Sequence, residues 1–429
     1  MTNTPAPNPR AALLREPNFR WMMGGGLVSA MGDQFTMIAL PWLVLKLTGD
    51  PLALGLVIAL MSIPRAIFIL IGGALVDRSS PKAVLMVTKY ANAVLLGLLA
   101  VLVLSQNVSL PAVCALALGI GLASAFSIPA GTSLLPSVVE PGSLQLANGM
   151  LMGVRQVTML AGPLLAGLLF ALAGDGGDKL TDARGLGYAF AFDCFSFVLS
   201  AWTLSKVQAQ HAAPAAAPAP LFAAVGAGLK MVWEDTALRT CMLYWALCAF
   251  IVGGTMQVAL PVLASTRLHG ASALGLVMGA HGAGTLLGMA LTGIKGNLRL
   301  GNLGTTLLVV DAIVGLLLIP FANVTASWQA AGLMLIVGVL AGFMQVAVFS
   351  WIQRRVPRPM LGRAMSIFMF IFMGLAPLAA AVTGWLMQRV TLTQLFSGSG
   401  LFLIAAALLA YLFTPIRSIA DEHSGRAQT

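Results

Sequence analysis

Charge is what this chain has least of. Asp and Glu number 14 and Lys and Arg 24 in 429 residues, so 9% of the chain is charged, against about 25% in an average soluble domain. No soluble fold of this length hides the 59% that is hydrophobic, so the composition excludes a soluble protein and describes a polytopic membrane protein. Histidine and cysteine are scarce, at four each. Cys114, Cys194, Cys241 and Cys248 form no CxxC pair and fall in apolar stretches, which suits small core residues. No HExxH and no Cys/His cluster is present, so no metal is expected. No GxxxxGK(S/T) loop is present, so ATP is not the expected energy source, and no other cofactor is expected. No Ser-His-Asp arrangement is legible, and no segment outside the apolar runs is large enough for a catalytic domain; an enzyme is not expected. The N-terminal "MTNTPAPNPRAALLREPNFR" has no apolar core followed by a small-residue cleavage site, so no cleaved signal peptide is expected.

What is there is a series of long apolar runs. A helix needs about 20 mostly apolar residues to cross a bilayer. Twelve runs qualify, near 19–46, 52–76, 83–104, 109–135, 145–173, 186–206, 239–265, 272–294, 302–321, 327–351, 362–388 and 393–414. They are too long for strands and lack barrel alternation. Backbone groups in lipid must bond within their own segment, so these are helices. An even count puts both termini on one side. With the termini inside, 17 Lys and Arg lie at cytoplasmic ends, among them Arg78, Lys82, Lys89, Arg354 and Arg355, and five lie outside. The positive-inside rule therefore favours cytoplasmic termini. The net charge of +10 fits a protein facing anionic lipid and needs no nucleic acid.

The segment "QAQHAAPAAAPAPLF" reads as a linker after the sixth span. "LFAAVGAGLKMVWEDTALR" reads as an amphipathic helix on the inner surface. The domain reading is a tail at 1–18, a six-helix bundle at 19–207, a linker with its helix at 208–238, a second six-helix bundle at 239–415, and a tail at 416–429. The halves echo each other weakly, with mid-span prolines in "AGPLLAG" (Pro163) and "LAPLAAA" (Pro377). Two related bundles point to a transporter with its site between them.

Ionisable residues within spans are functional hypotheses, because each costs roughly 2.5–3.5 kcal/mol at mid-bilayer on insertion scales. They are Asp33, Arg65, Arg155, Asp193, His281 and Asp311. Asp33 and Arg65 fall near the centres of consecutive antiparallel spans, so a pair is geometrically plausible. It would be a protonation switch, a substrate contact, or a permanent strut. Arg155 could snorkel to the interface, pair with Asp77, or hold an anionic substrate. His281, in "GAHGAGTLLG", reads as a packing residue and as a second proton candidate. Gln34, Gln156, Gln257 and Gln345 could line a cavity. The 22 Met and 20 Phe suit an adaptable apolar pocket, although most should face lipid or core. Pro41, Pro64, Pro129, Pro163, Pro261 and Pro377 should bend their helices.

The loop "GGALVDRSSPK" resembles the inner-loop signature of the major facilitator superfamily, G-x-L-a-D-R-x-G-R-K, at Gly73, Leu75, Asp77, Arg78 and Lys82. Ser80 and Pro81 depart from it, and locally they read as an N-cap followed by Pro at the first helical position. "AGPLLAG" is similar to that superfamily's antiporter signature at Gly162, Pro163 and Gly167. "GDQFTMIALPWLVLKLTGD", "AFSIPA" and "GLKMVWEDTALR" resemble the enterobactin-exporter and macrolide-efflux branch. The usual span-four arginine is missing. The resemblance implies twelve spans in two pseudo-symmetric six-helix bundles. It implies that Asp77 docks on the N-terminal end of span eleven, near Leu361 to Ala364, as a latch of the cytoplasmic gate. It also implies span one on the cavity wall, and spans six and nine as outer scaffold, which makes Asp193 and Asp311 mainly structural. The expected activity is export of an amphipathic small molecule across the bacterial inner membrane by proton antiport. The alternatives are a lipid or lysolipid flippase, an uptake symporter, and a non-transporting scaffold. A monomer working with cargo, protons and membrane lipids is expected.

Overall fold

The computed structural model describes residues 9–78, 80–174, 184–208, 221–268, 270–295, 302–357 and 360–419. Among these there are helices and turns and no strand. A short α1 (Pro9–Arg15) precedes the first span, α2 (Pro17–Thr48). Then come α3 (Pro51–Arg78), α4 (Pro81–Leu104), α5 (Leu110–Leu134), α6 (Leu144–Ala173) and α7 (Arg184–Lys206). α8 (Leu221–Glu234) leads into α9 (Thr236–Gly254), which continues through a π turn (Thr255–Ala259) into α10 (Leu260–Thr266). α11 (Ala271–Lys295), α12 (Leu303–Phe321), α13 (Ser327–Arg355), α14 (Leu361–Gly374), α15 (Ala376–Leu386) and α16 (Leu392–Phe413) follow. Among the described residues, eleven segments are long and apolar enough to cross a membrane, and α3 adds the shorter apolar stretch Pro51–Pro64. The chain is an all-helical membrane protein, and its spans begin and end within a few residues of the apolar runs.

Local chemistry sets the helix ends. Ser80 accepts from Ala83 N–H at 3.5 Å with Pro81 at the first helical position, as the sequence pattern requires. Asp235 accepts from Ala237 and Leu238 N–H at the start of α9. Burial pushes the Asp235 carboxyl up, but Arg355, at 2.9 Å, and those two N–H donors together hold it below the usual carboxylate range. Thr391 and Gln394 close a capping box on α16. Proline acts unevenly. Pro41, Pro64, Pro129 and Pro163 lie within unbroken helices. Pro261 follows the π turn, and Pro377 follows the break between α14 and α15. Proline has no N–H for the carbonyl four residues back; at Pro261 that carbonyl belongs to Gln257, inside the π turn.

The chain forms two compact units. The first takes residues up to Leu47 and Leu60–Pro218, the second Thr48–Ala59 and Ala219–Thr429. In the first, α4 packs on α5 and α7, and α6 packs on α7. In the second, α11 packs on α13, and α12 on α16. The start of α3 belongs with the second unit because Gly55 lies against the Ala380 carbonyl and Gly384 against that of Pro51; a Cβ would meet either at 2.5 Å. Gly228 packs on Arg363 and Ile367 of α14, while Leu229, Lys230 and Trp233 are exposed.

The tightest packing joins α11 to α13. Gly284 and Gly288 face Gly338 and Gly342, two GxxxG pairs whose added Cβ atoms would meet opposing backbone between 2.0 and 2.3 Å. Lipid gives apolar helices no hydrophobic reason to associate, so close backbone contact must supply the attraction. Gly284→Leu or Gly338→Leu is expected to lower stability in detergent by about 3 kcal/mol or to prevent folding, because the obstacle is backbone. Gly332→Ala has open space and should leave the thermal melt unchanged.

Candidate functional site

The polar interior of the first unit is built on the interface of α2 and α7. α2 presents Gly25, Ser29, Gly32 and Thr36 at roughly helical spacing, all buried. α7 answers with Asp193, Ser196, Ser200 and Thr203, also buried. Gly25 lies against Thr203 and Ser200, and Gly32 against Ser196 and Asp193. Thr36 Oγ1 donates to Asp193 Oδ2 at 2.5 Å, and Ser196 Oγ donates to Oδ1 at 3.1 Å. Asp193 is thus held by neutral hydroxyls on both oxygens, which is how a buried carboxyl is kept in place.

Asp33 lies in the same stretch of α2, and its side chain is exposed. It follows Gly32, which packs against Asp193, and stands one turn from Ser29, which faces Lys89 of α4. Lys89 is a correction to the sequence reading. It was counted among the cytoplasmic-end basic residues, but it lies two turns inside α4 with 8% of its surface exposed. Its Nζ faces Ser29 Oγ at 3.4 Å and sits 5.6 Å from the centroid of the Phe197 ring. Hydropathy missed it because a single lysine two turns from a span end scores as part of the end.

The other predicted residues disperse. Gln34 packs over Gly162, where an added Cβ would meet its Cβ at 2.4 Å. The antiporter-motif helix therefore meets α2 beside Asp33, with Gly162, Pro163 and Gly167 all buried. Arg155 is exposed on α6. It has no ion-pair partner among the described residues, and Gln156 beside it is half-buried. Arg65 lies on α3 with its side chain outside the described residues. The side-chain surroundings of Gly73, Asp77 and Arg78 likewise lie outside them. Lys82 is described. Its Nζ donates to the Ser205 and Val207 carbonyls at 3.1 and 2.6 Å, so it caps the C-terminal end of α7, where the helix dipole favours a cation.

In the second unit, Gln257 is half-buried in the π turn, where Thr255 Oγ1 meets Ser399 Oγ at 3.2 Å. His281 is half-buried on α11, its own carbonyl lying against Gly338. Gln345 is half-buried on α13. Asp311 of α12 faces the Cys248 thiol of α9 at 3.9 Å, and the buried Tyr244 hydroxyl lies nearby without a hydrogen bond of full geometry. Among the described residues, no group of three His, Cys, Asp or Glu side chains is arranged to hold a metal ion.

The Thr36–Asp193 bond yields a direct expectation. Thr36→Val removes a donor and leaves a buried acceptor short, which should cost about 1–3 kcal/mol. Thr36→Ser should recover most of it, as read by thermal melting of the purified protein.

Comparison with known proteins agrees with the architecture. The chain is 24% identical over 403 residues to the multidrug efflux pump Tap of Mycolicibacterium fortuitum, covering 92% of this chain and 95% of that one. It is 24% identical over 413 residues to an uncharacterized MFS-type transporter of Sinorhizobium fredii, covering 94% and 96%. The crystal structure of a D-xylose-proton symporter matches with a TM-score of 0.70 at 13% identity, covering 94% of this chain and 99% of that one. The family model for the Major Facilitator Superfamily matches residues 22–381. This chain belongs to the Major Facilitator Superfamily.

Proposed function

We propose that this transporter exports amphipathic small molecules across the inner membrane by alternating access, driven by proton entry. The observation that carries the direction is the end-to-end similarity to a protein named as a multidrug efflux pump. The apolar, sparsely charged spans suit cargo of that kind. Asp33 supports proton coupling. It is an exposed carboxyl in the middle of a span, beside the polar face that α2 presents to α7, and such residues in transporters mark proton or substrate paths. Gln34 would contact cargo beside it, and His281, Gln257 and Gln345 would serve the second unit.

Inverted vesicles with a pH-sensitive dye, given ethidium and erythromycin in turn, test the reading. Cargo-triggered proton movement is expected. Lipid scrambling without proton movement would replace it with a flippase, and uptake with the proton gradient would replace it with a symporter. Asp33→Asn should abolish gradient-driven export while leaving cargo exchange intact. Export with an unchanged pH profile would reduce Asp33 to a strut and move attention to His281.

We also propose that Gly73, Asp77, Arg78 and Lys82 latch the cytoplasmic gate. An acidic side chain at the C-terminal end of a helix is otherwise unfavourable, so Asp77 requires a purpose there. Asp77→Asn should slow transport about tenfold or more at normal protein levels, a loss of about 1.4 kcal/mol in barrier stabilisation. Normal transport would leave the loop a topological device only.

A further inference from the structure

Three charged side chains that the sequence scatters over three spans converge in the first unit. Lys89 on α4 is 8% exposed and Asp193 on α7 is 1% exposed. Asp33 on α2 follows Gly32, which packs against Asp193, and stands four residues from Ser29, which faces the Lys89 ammonium. Lys89 closes no ion pair among the described residues. It rests on the Ser29 hydroxyl and the Phe197 ring. A permanent strut would pair its charges directly, because a buried ion costs several kcal/mol until it is matched. A lysine held this loosely, on a flexible four-carbon stem, can move toward either carboxylate.

At the level of the Lys89 ammonium lie buried polar groups with unused hydrogen bonds. Asn92 lies one turn beyond Lys89 on the same face of α4 and is 1% exposed, and neither its amide nitrogen nor its oxygen has a partner among the described residues. Ser200, equally buried, has an Oγ in the same condition. The contacts of Gly97 with Cys194 and of Gly187 with Leu104 fix the antiparallel register of α4 on α7. That register sets Asn92 between the levels of Ser196 and Ser200. From Ser29, level with the Lys89 ammonium, to Thr36, bonded to Asp193, α2 rises about 10 Å. Ser200 lies against Gly25, one turn before Ser29, so the two amide atoms and the hydroxyl sit at the Lys89 end of that length, where they offer the two to four polar partners that an internal water requires.

We propose that Asp33, Asp193 and Lys89 form a proton relay inside the first unit, with water held on Asn92 and Ser200 beside the Lys89 ammonium. This rests on the proton coupling proposed above. With one proton on the two carboxylates, the ammonium faces one of their negative charges instead of two. Asp33, at the exposed end, takes the proton as an O–H bond. Transfer to Asp193 breaks that bond and forms another, and no other bond changes. Lys89 is a positioning residue, moving with the unprotonated carboxylate. The ionisable groups around it are few. α2 contributes Asp33, and α7 contributes Asp193 and Cys194. α5 carries Cys114 in its first turns and no charge in its length, and its Ser127 hydroxyl bonds Thr88 at 3.1 Å. α6 carries the exposed Arg155, and Arg65 of α3 has its side chain outside the described residues.

The test uses the full chain in proteoliposomes, with ethidium as the probe. Gradient-driven movement and ethidium exchange without a gradient are measured in parallel, because exchange needs the fold and the cargo site but no net proton transfer. Lys89→Met, Asp193→Asn and Asn92→Leu should each slow driven movement about tenfold or more, within the range of coupling free energies, while exchange stays as in the wild type. Lys89→Arg should restore coupling. Lys89→Met should move the pH profile about one unit toward alkaline pH, since removing a cation strengthens proton binding by neighbouring acids. Infrared difference spectra across pH need no cargo. The protonated-carboxyl band should shift its midpoint in Lys89→Met and lose amplitude in Asp193→Asn. If Asp33→Asn uncouples transport while Lys89→Met and Asp193→Asn remain coupled with unchanged carboxyl bands, the relay is wrong. If Asp33→Asn itself stays coupled, the antiport reading fails first. Equal loss of exchange and driven movement in Lys89→Met, with Lys89→Arg as poor, would make Lys89 a packing residue and overturn the relay.

Discussion

Close backbone approach is the constraint on which the rest of this molecule depends. Helices in lipid gain little from covering apolar surface, because the lipid tails already cover it. They hold together where small residues let one backbone touch another. Gly284, Gly288, Gly338 and Gly342 do this between α11 and α13, and Gly315 and Gly400 do it between α12 and α16. In the first unit the same device serves a different end. Gly25 and Gly32 bring α2 onto α7 at positions where α7 carries hydroxyls and a carboxyl, so close packing there also seals a polar interior.

That polar interior follows from the scarcity of charge. With so few ionisable groups, each buried one must be satisfied by what lies within reach. Asp193 is satisfied by Thr36 and Ser196, and Lys89 only partly, by Ser29 and Phe197. The difference between a fully held carboxyl and a loosely held ammonium separates a fixed element from a movable one. The second unit offers a contrast, since Asp311 faces a thiol and a phenol and no described cation. The two units therefore treat their buried charges by different chemistry.

Much of the fold was legible in the chain. Long apolar runs leave the backbone no choice but helix, so the spans were readable to within a few residues. The Ser80–Pro81 start of α4 was readable because an N-cap is a local event among neighbouring residues. Asp33 was visible as an anomaly for the same reason, as a carboxyl in an oily run. Lys89 was not visible, because hydropathy averages along one helix and cannot see which face a lysine takes. Asp193 was judged a scaffold residue from its span number, and its nearness to Asp33 emerged only when α2 and α7 were seen packed.

By itself, the sequence determined the class of molecule, the number and placement of the helices, and the positions where charge enters the membrane. These are properties of single segments, set by backbone hydrogen bonding in lipid and by local capping. Tertiary structure alone decided which charges share an interior, which hydroxyls answer them, and which polar atoms beside them lack partners among the described residues. Those are properties of faces meeting across 60 to 160 residues of chain, and no periodicity along one helix specifies the neighbour its face will meet.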